Sequence, residues 1–146
     1  MYRAIVRSFG PAADVVEVEA YEPPSPGVDE VLVRMVAATV NPSDLVTISG
    51  AYRSRTSLPL VPGFEGVGVV ERLGPGVTGL AVGDRVLPVG SAGAWQRVKL
   101  ARARWCLRVR PELTDDQAAT SYTNPLTALR MIDEHVVPRG RPHGVV

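Results

Sequence analysis

Three side chains in this sequence stand out as able to meet a reacting ligand: the phenol of Tyr52, the amide of Asn41 and the hydroxyl of Thr127. A phenol is protonated at neutral pH, so it can donate a proton or a hydrogen bond; the same ring could simply pack a loop. Asn41 precedes Pro42, which also suits it to the N-cap of a helix, and the two roles can coexist. Thr127 is expected in the first turn of a helix opened by Asn124-Pro125, where backbone N–H groups are free. Local backbone bonding is the alternative for that hydroxyl. Asp44 and Glu65 read as carboxyls that support the fold by hydrogen bonding. Arg53 and Arg55 could meet a phosphorylated ligand arm, or remain exposed loop charges.

Other chemistries are narrowed by what the chain lacks. Cys106 is the only cysteine, so neither an intrachain disulfide nor a multi-cysteine zinc site can form. It lies in a strand-like apolar run and reads as a small buried hydrophobe. The two histidines, His135 and His143, sit near the C-terminus and read as exposed side chains rather than ligands; no metal site is expected. The formal net charge of +1 offers no basic face for nucleic acid. Arg97, Arg102, Arg104, Arg108 and Arg110 alternate with apolar residues, as on a solvated strand face. No apolar stretch approaches the ~18 residues of a membrane span. The expectation is a cytoplasmic protein with no membrane partner.

The elements that must position these side chains are mostly strands. Short β-rich segments over 4–8, 15–19, 30–40, 65–73, 85–89 and 95–100 are separated by turn signals such as Gly74-Pro75-Gly76. The 14 glycines and 13 prolines are spread between them. Gly63, Gly66 and Gly68 mark a place where a backbone or a ligand comes close. Pro42 to Ile48 suits a short helix. Thr114-Asp115-Asp116-Gln117 has the form of a capping box and predicts a helix over 115–121. Leu126, Leu129 and Ile132 recur every three residues and predict the buried stripe of a last helix, closed by Pro138 and Gly140. The fold class is mostly β: a barrel or sandwich of short strands with two or three short helices.

An ordered series of motifs runs through the whole chain: Asn41-Pro42-Ser43-Asp44, Gly50-Ala51-Tyr52, Pro62-Gly63-Phe64-Glu65-Gly66-Val67-Gly68, Gly74-Pro75-Gly76-Val77, Gly83-Asp84-Arg85-Val86 and Asn124-Pro125-Leu126-Thr127-Ala128-Leu129-Arg130-Met131. In order and spacing it resembles the GroES-like β-barrel domain of the medium-chain dehydrogenases and reductases. The first and last pieces are most similar to the trans-2-enoyl thioester reductases, with quinone oxidoreductases close behind.

The resemblance implies a substrate-side catalytic domain over 1–146. It implies reduction of an activated C=C bond, in an enoyl thioester or a quinone, with NADPH as cofactor. Zinc-dependent members place a cysteine and a histidine where this chain has Asn41 and Phe64, so the resemblance implies a zinc-independent reductase. It implies Tyr52 as the acid that protonates Cα, Asn41 and Thr127 as cofactor contacts, and Phe64 in the substrate pocket. Trp95 follows Gly93-Ala94, where related reductases often carry an aromatic facing the cleft; a wall role and a core role both fit.

No Gly-x-Gly-x-x-Gly occurs between a strand and a helix. Gly63 to Gly68 is followed by strand residues, and a phosphate cradle needs a helix N-terminus. The resembled nucleotide-binding (Rossmann) domain would begin at about Gly144-Val145-Val146, so the chain is expected to be truncated there. The partner would then be a separate Rossmann-domain chain or a second copy in a homo-oligomer. The alternative is a freestanding GroES-like module with a binding or non-redox role.

Overall fold

A computed structural model describes residues 1–136; the expected helix stop at Pro138 and Gly140, and His143, lie outside the described residues. The chain runs β1 (Tyr2–Val6), α1 (Ala12–Val15), β2 (Val16–Ala20), β3 (Glu30–Ala38), α2 (Pro42–Ile48), β4 (Gly66–Leu73), β5 (Arg85–Pro88), β6 (Val98–Arg102), β7 (Cys106–Arg108), α3 (Asp115–Ala119) and α4 (Thr123–Met131). Five strands form one antiparallel sheet in the order β6-β3-β4-β5-β7, and β1 pairs with β2. Isolated bridges from Arg3 to Gln96 and from Val6 to Leu60 tie β1 to the segments that precede β6 and β4. The mostly-β expectation holds. Strand ends differ by up to three residues, and the one-turn helix α1 was not expected, because its four residues carry no period a pattern can report.

β3 occupies the centre. Val31, Leu32 and Val33 are all buried, so this strand is covered on both faces, and its run reads as continuously apolar rather than alternating. One cluster joins Val31, Val33 and Met35 with Val70, Val86, Ala101 and Cys106. On the other face Val67 of β4 packs with Ala118 and Ala119 of α3. The Thr114 capping box is formed: its hydroxyl accepts from the Gln117 N–H, and the Gln117 side chain accepts from the Thr114 N–H at 3.0 Å. Arg85 anchors the same helix through Asp115 at 2.7 Å. The expected arginine face is solvent-exposed at all five positions, and Cys106 is buried.

The glycines of the β4 entry face the backbone of β3 rather than a ligand. A Cβ on Gly68 would lie 2.5 Å from Val33 Cγ1 and 2.6 Å from the Arg34 carbonyl. Two strands joined across a bulge between Met35 and Ala37 leave no room for a methyl group there. Gly68→Ala should therefore destabilise by about 1–3 kcal/mol, seen as a lower urea midpoint with an unaltered slope.

The last helix departs from expectation. It starts at Thr123, one residue early, and none of its residues is buried. Leu126, Leu129 and Ile132 are 40%, 54% and 43% exposed, not a buried stripe. The threefold period reports that one face is apolar; it does not report what covers that face, and among the described residues nothing does. His135 lies in the π-turn Ile132–Val136 that continues α4, and it is exposed as expected.

Two buried groups make stability depend on pH. Burial pushes the Lys99 amine down to about 8 from 10.5, and pushes the Cys106 thiol up to about 11 from 9.0. Between pH 8 and 10.5 the unfolded chain holds a lysine proton that the folded chain has lost, so stability rises with pH. Between 9 and 11 the folded chain keeps a thiol proton that the unfolded chain has lost, so stability falls. The expected profile climbs from pH 8 to 9 and then flattens. In Cys106→Ala the climb should continue to above pH 10, as urea midpoints across this range would show.

Candidate active-site cavity

Helix α2 positions the first group of candidate residues. Asn41 stands at its N-cap with extended dihedrals, followed by Pro42 at the first helical position. Asp44 is 1% exposed, and both its oxygens are engaged. One accepts from the Asn41 N–H at 2.8 Å, and the other accepts from the Phe64 N–H at 3.0 Å. A single buried carboxyl thus fixes two segments that are twenty residues apart. The Asn41 side-chain amide donates to the Thr39 hydroxyl at 3.0 Å.

Beyond α2 the chain turns at Gly50, whose φ of +88° would strain another residue. Tyr52 follows, capping a 3-10 turn over Arg53–Arg55. Its ring is 49% exposed, and its hydroxyl makes no hydrogen bond among the described residues. Tyr21 differs in both respects: its hydroxyl donates to the Val98 carbonyl and accepts from the Val98 N–H, which pins the chain after β2 to β6. Tyr21 is committed to the fold, and Tyr52 is free for a ligand.

Tyr52 and Phe64 face one cavity of about 370 Å³. Leu60, Phe64 and Ala92 form its apolar wall; Thr47, Arg55, Thr56 and Ser57 supply polar groups. Among the described residues Arg55 is the only charged residue in the lining. The Thr47 hydroxyl is already spent on the Ser43 carbonyl at 2.8 Å, which leaves Arg55, Thr56 and Ser57 beside Tyr52 as donors.

Trp95 is placed elsewhere. Its indole N–H donates to the Thr39 carbonyl at 2.8 Å, and its ring closes over Gly63, where a Cβ would be 2.5 Å from Cδ1. It packs against the core cluster and borders a separate hollow of about 300 Å³ with Tyr2, Val18 and Met35. Trp95 therefore backs the Gly63-Phe64 segment without lining the Tyr52 cavity. Thr127 is exposed on α4, in the second turn rather than the first, and its hydroxyl donates to the Thr123 carbonyl at 2.7 Å. Glu65 is 4% exposed; one oxygen accepts from the Thr123 N–H at 2.7 Å and holds the start of α4.

Thr56, Ser57, Leu60 and Ala92 carry no motif, so their place in the wall was not legible in advance. One further side chain is set apart by the composition alone. Lys99 is the only lysine of the chain, stands in an apolar strand, and is 2% exposed. Among the described residues no group of three or more His, Cys, Asp or Glu side chains is placed to hold a metal ion.

Comparison with known proteins agrees with this architecture. The mitochondrial enoyl-[acyl-carrier-protein] reductase of Arabidopsis thaliana is 41% identical over 109 residues, covering 74% of this chain and 29% of that protein. A crystal structure of a Bacillus thuringiensis protein described as an NADPH:quinone reductase superposes with a TM-score of 0.88 at 38% identity, over 93% of this chain and 42% of that one. The Etr1p–NADP–crotonyl-CoA complex gives 0.81 at 29% identity, over 92% and 43%. The chain therefore spans less than half the length of these relatives. The alcohol dehydrogenase GroES-like domain profile matches residues 27–116, and the chain belongs to that family.

Proposed function

We propose that this chain forms the substrate side of a zinc-independent, NADPH-dependent reductase acting on an activated C=C bond, in an enoyl thioester or a quinone. The observation that carries this reading is the uncommitted Tyr52 phenol in one cavity with Phe64, beside a helix whose N-cap Asn41 is tied to Phe64 through Asp44. Asn41 and Phe64 stand where zinc-dependent relatives carry ligands, and neither can bind zinc.

The described residues fit only the nicotinamide end of the cofactor. Asn41 offers an amide, and the Thr127 hydroxyl, its proton directed at Thr123, offers lone pairs. No glycine-rich strand-to-helix turn is present among them to cradle a pyrophosphate. When bound, NADPH would supply the hydride equivalent that such a reduction needs at Cβ. Tyr52 then gives its proton to Cα, and its exposure lets water restore that proton. Negative charge developing on the thioester or quinone oxygen meets the donors Arg55, Thr56 and Ser57 along the wall. The apolar face of α4 suits a covering nucleotide-binding portion.

NADPH fluorescence tests the division of labour. This chain alone should show no saturable binding at micromolar cofactor, and the protein carrying its nucleotide-binding portion should bind NADPH and reduce crotonyl-CoA. A carrying protein that binds NADPH but reduces neither an enoyl thioester nor a quinone would refute the assignment.

A further inference from the structure

We propose that Lys99 is a positioning residue for the Tyr52 cavity, its buried side chain clamping the loop that sets Ala92 into the wall. The significance for catalysis rests on that cavity being the substrate site; the clamp itself does not. Lys99 lies on β6 opposite Val33 of the central strand and is 2% exposed. Its Nζ donates to the Pro88 carbonyl at 2.9 Å and to the Ser91 carbonyl at 2.6 Å. These two carbonyls bracket the turn that leaves β5.

The far end of the loop has its own anchor. The N–H groups of Gly93 and Ala94 both donate to the Gly63 carbonyl, at 2.9 and 3.0 Å. Gly63 precedes Phe64, and Ala92 lies between the two anchors, so Ala92 and Phe64 meet in the wall only while both hold. Gly90, with φ +90°, lets the turn settle against the Trp105 ring.

The fold by itself does not explain this lysine. All fifteen other side-chain cations of the chain are arginines, and the single ammonium is the one placed in the interior without a carboxylate partner among the described residues. An apolar residue of similar length would spare the desolvation of a charge. A group that costs stability and fixes a cavity wall is the pattern of a site-supporting residue. Among the described residues the one ionisable side chain close enough to act on Lys99 is the Cys106 thiol.

Having a single lysine makes the test direct. In protein labelled with 13C-lysine and 13C-carbonyl, the Lys99 Cε signal and the Pro88 and Ser91 carbonyl signals should titrate together, with a midpoint near 8. The midpoint should persist in Cys106→Ala. In Lys99→Met, amide exchange at 91–93 should speed up at least about tenfold, while β3 and β4 amides keep wild-type rates. The Ala92 methyl signal should move, and that of Val31 should not. Crotonyl-CoA, titrated against this chain, should bind the variant at least about fivefold more weakly.

Carbonyl signals that ignore the Lys99 titration would overturn the clamp, as would uniform acceleration across the whole sheet in Lys99→Met. If Lys99→Met does not fold, the wild-type carbonyl titration decides alone. If crotonyl-CoA does not bind even the wild type, the substrate reading fails, and the loop signals still decide the clamp.

Discussion

Replacing Tyr52 by Phe should slow reduction of crotonyl-CoA by about 10²–10⁴-fold, the range general acid catalysis contributes, once the chain is assayed with its nucleotide-binding portion. NADPH affinity and thermal stability should be nearly unchanged. The stability half of this expectation follows from structure: the ring is half exposed and its hydroxyl bonds to nothing among the described residues, so Phe keeps every contact the fold uses. The rate half follows from chemistry. Hydride arriving at Cβ would leave charge on Cα and on the conjugated oxygen, and among the described residues the cavity lining holds no histidine or carboxylic acid to quench it. Its other hydroxyls, on Thr47, Thr56 and Ser57, are far weaker acids than a phenol. The matching control is Tyr21→Phe, which should lower stability, because that hydroxyl serves both backbone groups of Val98, and should leave the chemical step alone. Steady-state rates with solvent-deuterium labelling of Cα would separate the two. A Tyr52→Phe enzyme at wild-type rate removes Tyr52 from the reaction.

The second large effect is on stability. Asp44→Ala should cost about 3–5 kcal/mol, from two hydrogen bonds to a carboxylate at ~1.5–3 kcal/mol each and the small void left behind. Against the ~5–15 kcal/mol of an ordinary domain, that loss removes a large share of the stability and should lower the urea midpoint markedly. Asp44→Asn keeps one acceptor oxygen and should lose roughly half as much. Because the same carboxyl holds the Asn41 and Phe64 N–H groups, the surviving Asn variant should also bind crotonyl-CoA more weakly than its stability alone explains. Urea denaturation followed by circular dichroism reads the first effect and a ligand titration reads the second. Equal stability of Asp44→Ala and wild type would mean that the two N–H groups find other partners.

How far the sequence disclosed this arrangement depends on the range of the interaction. Local signals were readable: Pro42 after Asn41 opens α2, and Thr114 with Gln117 caps α3. The three glycines of 63–68 announced a close approach, but its partners, the backbone of β3 for Gly66 and Gly68 and Trp95 for Gly63, depend on tertiary pairing that no local pattern encodes. Of the candidate site residues, Tyr52 and Phe64 meet in one cavity, whereas Trp95 turns to the core side of Gly63 and Thr127 lies exposed on α4. The twofold reading of Trp95 could not be resolved beforehand, because a shift of one residue in register turns a side chain to the opposite face. The period of α4 predicts an apolar face but not its burial, because what covers a helix is a tertiary fact. The cavity wall at Thr56, Ser57 and Ala92 comes from loops brought together only by the fold.

The central claim is that an electron-poor alkene sits against Tyr52 and Phe64. The most direct measurement is a crotonyl-CoA titration of the 15N- and 13C-labelled chain. The expected shifts concentrate at Thr47, Tyr52 to Ser57, Phe64 and Ala92, with the Tyr52 ring among the most perturbed signals. Shifts gathered instead around Tyr2, Val18 and Trp95, in the other hollow, would contradict the account.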